Sequence, residues 1–371
     1  MKVQSLLIAI IILLFLSLKG YCQAPDYPIA HPNGYVCYKT ITPLNVDGSI
    51  NEPVWDLTEW THLFADITGN ENKSPYLDTK VKMLWDDSYF YIAAELQEPH
   101  LWGTITEKDK VIFKDNDFEV FIDPNGDNHN YYELEMNALN TIWDLMLNKP
   151  YRDGGAAIDN YDFKGLLTAV TLFGTINNPH DVDDKWTIEI AIPWQNFEVW
   201  NPKQKHKTPH EGEQWRVNFS RVQWELEPDH YKYNKKLDFR RNVLPENNWV
   251  WSPQGIIQMH QPETWGYVQF SEKQVGSAIV EFKKDLDFNL KMALMDVYFQ
   301  QKKYYKKHQT YASNIDELNL SEYTKIRFSK RIKIEKIRNQ FVAYAEGYNG
   351  VWQIDENSKI TSTPLKLETS F

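Results

Sequence analysis

Two short runs on either side of a Pro124-Asn125-Gly126-Asp127 turn constrain this 371-residue chain most strongly. In Asp117–Asp123, the apolar Phe118, Val120 and Ile122 alternate with Asp117, Glu119 and Phe121. In residues 131–138, Tyr132, Leu134, Met136 and Ala138 alternate with Glu133, Glu135 and Asn137. A period of two sends one set to a core and the other to the opposite face, which a strand can do and a helix cannot. The pair therefore reads as a hairpin. Thr79–Trp85 and residues 89–95, joined by Asp86-Asp87-Ser88, read as a second. Residues 165–173, 186–192, 215–222 and 266–270 add further strand signals, and Asp47-Gly48 marks a turn. Many short strands with turns between them predict a mainly β fold, an antiparallel immunoglobulin-like β-sandwich ending near Phe270.

The pattern changes after Ser271. Phe282, Leu286, Leu290, Leu294, Val297, Gln301 and Tyr304 fall three or four apart, which predicts an amphipathic helix. Ile326, Phe328, Ile332 and Ile334 alternate with charged residues as a strand would. Residues 341–345 and 351–354 complete a small meander around Gly347 and Gly350. Residues 271–371 thus form an appended C-terminal α+β unit of unassigned role, with a protein partner as one possible use. They hold 17 Lys and Arg against 13 Asp and Glu, whereas the whole chain carries −11, so the body is strongly acidic. An acidic body repels phosphate backbones, and the basic tail has no dense aromatic-interleaved stripe, which argues against nucleic acid.

The first residues carry an address. Lys2 precedes an apolar run over residues 6–18, the length of a signal-peptide core and too short to span a bilayer of about 30 Å. Gly20 and Cys22 suit the cleavage site, so residues 1–22 read as a signal peptide and the mature chain begins at Gln23. Residues 23–40 form a lead-in. The alternative, lipidation of Cys22, would need a small residue where Tyr21 stands. No second apolar stretch of spanning length follows, so the mature chain is expected without a transmembrane segment, in the periplasm, on the cell surface or secreted. Once Cys22 is removed, Cys37 is the only thiol and no intrachain disulfide can form.

Five motifs stand in one order: 46–55 (VDGSINEPVW), 81–87 (VKMLWDD), 118–123 (FEVFID), 186–194 (WTIEIAIPW) and 260–266 (HQPETWG). Over residues 41–270 they resemble the family 9 carbohydrate-binding modules. The resemblance implies a β-sandwich that grips sugar chain ends between two aromatic rings, helped by charged and amide side chains. By motif, the first ring falls at Phe113, the clamp glutamate at Glu119 and the amide at Asn137. Glu135 stands where the family places a sugar-binding Arg, and Met259 stands near the second Trp. The resemblance leaves Trp143, Trp249 or Trp251 to supply the missing ring, and Arg152, Arg216 or Arg221 the missing cation.

The residues leave several chemistries open. Glu133 and Glu135, two apart on one strand, span about 6.6 Å between Cα atoms, which could suit an inverting glycosidase pair. Any two acids so spaced would do the same. Asp123, Asn125 and Asp127 echo a calcium loop, but the twelfth position is Leu134 rather than an acid, so a plain turn is the favoured reading and a structural calcium the alternative. No cofactor is expected otherwise: zinc spacings, phosphate loops and Gly-x-Ser-x-Gly elbows are absent. The leading expectation is an exported carbohydrate-binding protein without catalysis of its own, taking part in polysaccharide catabolism. A hydrolase of O-glycosyl bonds, and a structural or partner-binding sandwich that has lost its sugar, are the alternatives.

Overall fold

The computed structural model describes residue 27, residues 29–197 and residues 208–365. The export-signal reading of residues 1–22, with Cys22, lies outside the described residues. Among the described residues no helix is long and apolar enough to cross a membrane. Chain contacts divide the molecule into two compact units. One comprises Ala30–Asn148 with Ala157–Asp285; the other includes Lys149–Ala156 and the chain from Leu286.

The first unit is built from β1 (Gly34–Lys39), β2 (Ala65–Asp66), β3 (Thr79–Trp85), β4 (Tyr89–Gln97), β5 (Asp117–Asp123), β6 (Tyr131–Asn137), β7 (Ile142–Leu147), β8 (Ala157–Ile158), β9 (Leu167–Phe173), β10 (Lys185–Pro193), β11 (Gln214–Gln223), β12 (Leu226–Pro228), β13 (Tyr233–Lys235), β14 (Asn247–Val250) and β15 (Gly266–Gln274). The strands run β8-β7-β6-β5-β11-β15-β1-β3-β4-β10-β9, with β14 joining β11 to β2. Both expected hairpins are present, β3 against β4 and β5 against β6. Their apolar sets share one core: Phe118, Val120, Leu134 and Met136 with Val81, Met83, Ile92 and Ile188. The mainly β, sandwich-like expectation stands. The sheet is mixed rather than purely antiparallel, because β1 lies parallel to both β15 and β3.

The motif at 46–55 has a physical reason. Glu189, on β10, points away from the main core, where its Oε2 accepts the Asp47 and Gly48 amides at 3.1 and 3.0 Å. Its Oε1 accepts the Trp55 indole N–H at 3.0 Å. One carboxylate thereby pins the turn and the tryptophan over a second apolar layer of Leu84, Tyr91, Ala93 and Ala191. Gly48 has φ +86, and a Cβ there would lie 2.7 Å from the Val170 carbonyl carbon, so a side chain is excluded. Burial pushes the Glu189 carboxyl up to about 7 even though all three bonds favour its charged form.

The sandwich extends beyond its expected end at Phe270. β15 continues to Gln274, and the segment after it stays on this unit: Gln269 donates to the Glu281 carbonyl, the Lys283 amide donates to Gln269, and Tyr267 donates to Asp285. The division falls at Asp285/Leu286 because these side chains satisfy the backbone that follows the strand.

In the second unit, α1 (Phe288–His308) buries Met292, Met295, Val297 and Phe299. The four-stranded antiparallel sheet is β16 (Lys333–Ile337), β17 (Gln340–Glu346), β18 (Val351–Asp355) and β19 (Ile360–Thr363). The helix begins at Phe288 rather than Phe282. The strand expected from Ile326 is corrected: Glu322–Arg327 is α2, and extended structure starts only at Lys333. Ser321 Oγ accepts the Thr324 amide and caps this helix, a local signal that overrides the accidental alternation beyond it.

Glu189→Gln should destabilise the sandwich by about 1–3 kcal/mol, because an amide nitrogen would face donors that now meet an acceptor. Chemical denaturation with Trp fluorescence reads this. The folded chain also holds a proton that the unfolded chain releases between the ordinary 4.5 and about 7. Wild-type stability should therefore decline across that window relative to the variant.

Candidate functional site

The outer face of the β5–β6 hairpin gathers carboxylates. Pairing across the strands sets Ser220, Glu119, Glu135 and Trp143 in one row over β11, β5, β6 and β7. Asp117 precedes Glu119 by one pleat on the same face and opposes Asn137. Carboxylate oxygens of Asp117, Glu119 and Glu135 lie within 4.8 Å of one another. All are buried, at 0, 6 and 2% exposure. Burial pushes Glu119 up to about 7. Burial first, then the charge of Glu119, lifts Asp117, Glu133 and Glu135 well above the carboxylate range. Among the described residues no Lys or Arg pairs with Asp117, Glu119 or Glu135.

Phe113 stands at the rim of this cluster. It sits in the turn Ile112–Lys114 and is 38% exposed. Its amide donates to Glu135 Oε2 at 3.0 Å, so the acid that replaces the expected Arg holds the ring's backbone. Trp143 is half-buried on the same row, and its Nε1 has no hydrogen-bond partner. Phe113, Glu119, Glu135 and Trp143 are thus brought together.

The other expected residues sit elsewhere or are already committed. Asn137 is buried; its Nδ2 donates to the Ile105 carbonyl and Asp115 Oδ2, and its Oδ1 accepts the Leu139 and Thr141 amides. It closes loops, with every polar atom used. Arg216 stacks 3.9 Å from the Tyr267 ring centre and donates to the Pro262 and Glu263 carbonyls, beside Asp123 at the far end of β5. Trp249 and Trp251 belong to the main core. One edge of Trp251 reaches a cavity of about 650 Å³ beside β1, with Tyr35, Trp60 and Phe282. Met259 lies in a loop; its sulfur accepts from Gln254 and its carbonyl from Trp265 Nε1. The adjacent His260 ring contacts Phe121 and Tyr131, one pleat from Glu133. Arg221 is in the core and Arg152 in the other unit, where it donates to Ser358. In the 123–127 turn, Asp123 accepts the Gly126 and Asn128 amides and Asp127 accepts from Asn125 and His129, the pattern of a plain turn.

Two residues were missed by the sequence reading. Trp224 follows β11 and donates its indole N–H to the Phe113 carbonyl at 2.8 Å, placing a second aromatic group beside the first. Lys235, on β13, holds its ammonium 3.2 Å from the centre of the Trp224 ring, and burial lowers it to about 8. A ring and a cation from chain more than 80 residues beyond the β5–β6 hairpin thus stand beside Phe113. Trp224 falls just past the strand signal at 215–222 and Lys235 lies outside every strand signal in the sequence, so neither stood out locally.

Phe113, Trp224 and the half-buried Trp143 offer ring faces to apolar C–H surfaces, while the acids and Lys235 offer hydrogen bonds. Oxygens of Asp117, Glu119 and Glu135 crowd closer than the about 5–5.5 Å of a retaining glycosidase pair.

The model of the family described as "Carbohydrate family 9 binding domain-like" matches residues 46–220. Endo-1,4-beta-xylanase A of Thermotoga maritima is 32% identical over 152 residues, 41% of this chain and 12% of the enzyme. Exoglucanase XynX of Acetivibrio thermocellus is 26% identical over 156 residues, 42% of this chain and again 12% of the enzyme. The chain thus spans a small fraction of the curated relatives it matches. A solved family 9 carbohydrate-binding module of Caldicellulosiruptor kristjanssonii, in complex with cellotriose, is 15% identical. The match covers 67% of this chain and 99% of that one, at a TM-score of 0.40. The ordered motifs and the family match fall on the same strands, so over residues 46–220 this chain is similar to the carbohydrate family 9 binding domain-like family.

Proposed function

We propose that the sandwich binds carbohydrate, without catalysis of its own, on the face where Phe113, Trp224 and Trp143 surround Glu119 and Glu135. The observation that carries this is the half-exposed Phe113 ring, held from below by Glu135 and from the side by Trp224, within a segment matched to a carbohydrate-binding family. Pyranose C–H faces stack on such rings, and ring hydroxyls pair with carboxylates and ammonium groups. Lys235 serves in place of the absent Arg. The enzymes with which this chain shares sequence are an exoglucanase and two endo-1,4-beta-xylanases, so β-linked polysaccharide fragments are the first ligands to try. Export before Gln23 would put this face where such polymers are met. The proposed role is capture during polysaccharide catabolism.

Calorimetry against glucose, cello-oligosaccharides and xylo-oligosaccharides should give saturable heat with no new reducing ends in the same mixtures. New reducing ends would favour the hydrolase reading, and no heat with any sugar would favour a sandwich that has lost its ligand. Phe113→Ala and Trp224→Ala should each weaken binding by about 1–3 kcal/mol, the loss expected for one aromatic stacking platform. Unchanged affinity in both variants would place the sugar elsewhere, with the cavity beside β1 the next surface to test. The intact mass of the purified envelope or secreted protein should correspond to a chain starting at Gln23; a mass including residues 1–22 would overturn export with cleavage.

A further inference from the structure

We propose that the ligand surface at Phe113 and Trp224 continues over the ribbon of residues 224–244, so that the sandwich binds along a run of several sugars rather than a single terminal unit. The proposal rests on the sugar reading of the Phe113 face and extends it.

The continuation follows from strand register. β12 and β13 pair Leu226 with Lys235, and the Lys236 amide donates to the Glu225 carbonyl at 2.8 Å. One step further along that register, Trp224 stands opposite Leu237. Leu237 in turn bridges Val243, and the Leu244 amide donates to the Lys236 carbonyl at 2.9 Å, which adds a third segment to the ribbon. Residues directly opposed across strands share a face, so Trp224, Leu237 and Val243 form one row. Neighbouring strands lie about 4.8 Å apart, which puts Val243 about 10 Å past Trp224. Lys235, one pleat from Leu237 on the same face, holds its ammonium 3.2 Å from the Trp224 ring centre.

The fold uses only half of this face. Near the β12–β13 turn, Tyr233 is buried; its hydroxyl donates to the Asn178 carbonyl and its ring centre lies 5.2 Å from that of His100. Past Lys235 the face opens. Leu237 and Val243 are 45 and 49% exposed, and Phe239, in the turn that joins them, is 89% exposed. Asp238 holds that turn, its Oδ1 accepting the Arg240 and Asn242 amides at 2.7 and 2.9 Å, so a fixed backbone presents the ring. The Arg240 guanidinium lies 5.1 Å from the Phe239 ring centre. Single exposed apolar side chains are ordinary, whereas a continuous apolar row beside a candidate site marks an interaction surface.

The shape of the row selects its occupant. It is one side chain wide, and the reverse face of the ribbon carries the Glu225–Lys236 ion pair. A stable protein partner needs about 800 Å² on each side. A glycan strand is narrow and linear, with C–H faces for Trp224, Leu237 and Phe239 and hydroxyls for Lys235 and Arg240.

Calorimetry on the full chain with cello- and xylo-oligosaccharides, from disaccharide to hexasaccharide, tests this. In the series that binds, affinity should rise about tenfold or more from the disaccharide to the hexasaccharide, the gain from one further stacking contact. Phe239→Ala and Leu237→Ser should each lower the ratio of hexasaccharide to disaccharide affinity by about threefold or more. Tyr231→Ala, an exposed ring in the other turn of the ribbon, should leave that ratio unchanged. Disaccharide binding with flat affinity up the series would overturn the extension and leave the sugar reading standing. A ratio unaltered in both the Phe239 and Leu237 variants would overturn it as well. No heat with any sugar would sink both readings. Since the length series needs only the wild type, failure of a variant to fold does not rescue the proposal.

Discussion

Arg221 is the charge around which the sandwich closes. It projects from β11 into the core, 1% exposed. Its guanidinium donates to Glu98 Oε2 at 3.1 Å, to the Gln97 carbonyl at 2.8 Å, to Thr79 Oγ1 at 3.0 Å and to Gln223 Oε1 at 2.8 Å. With the Asp78 carbonyl at 3.4 Å, five groups thus bind one planar cation. Four of them lie on or next to β3 and β4, in the other half of the strand path from β11. A buried charge with one partner would cost several kcal/mol, and breaking such a pair from one side typically costs 3–5 kcal/mol. Here the remaining donors are satisfied as well, so the ion pair fixes how β11 meets β3 and β4. Because β11 is also the neighbour of β5, the same contact sets where the acid row stands. Glu98 extends the network by accepting from Asn116 and Gln223, and Asn116 in turn accepts the Trp224 amide. The core ion pair and the outer aromatic group are three side chains apart.

The two faces of β5 and β6 solve opposite problems. On the inner face, Phe118, Val120, Leu134 and Met136 are buried against apolar neighbours, and that face is stable by area alone. On the outer face, the equally buried Asp117, Glu119 and Glu135 gain nothing from area and, among the described residues, meet no Lys or Arg. Glu189 shows how this chain satisfies a lone buried carboxylate, with three N–H donors converging on it. In the Asp117, Glu119 and Glu135 group each acid meets fewer donors: the Val222 amide reaches Asp117, the Ser220 hydroxyl Glu119 and the Phe113 amide Glu135.

Alternation made the sandwich legible in the sequence, since period two needs no knowledge of partners, and the hairpins came with their turns. Parallel pairing of β1 was not legible: it joins residues more than 200 apart, and nothing in Gly34–Lys39 names β15 as its neighbour. In the site, Phe113, Glu119 and Glu135 could be read because the motif is local to one hairpin. Arg216 and Trp251 could not be excluded, because a residue's face follows from alternation but what it packs beneath does not. Gly266 illustrates this: a Cβ there would meet the Trp251 ring at 2.4 Å, so that ring lies over the glycine of a later strand. Trp224 and Lys235 were hidden for the same reason, since their meeting with Phe113 is tertiary.

Having Glu135 where the resemblance implies an Arg therefore changes more than one charge. An Arg there would pair with Glu119 across the strands and could hold a sugar hydroxyl directly. Glu135 instead turns toward the backbone of Phe113, and the like charge beside Glu119 rules out an ion pair between them. The positive charge reappears on Lys235, but above Trp224 and outside the acid row. Attraction and repulsion are thus separated in space: a cationic aromatic rim, and an acidic floor beneath it. A rim of this kind suits a neutral, hydroxyl-rich ligand, which stacks on rings and needs only scattered polar partners. The floor is too deep to be that ligand's main contact, and its chemistry is that of oxygen donors facing one another. Rim and floor are linked by the Phe113 amide, so whatever neutralises the floor also sets the geometry of the rim.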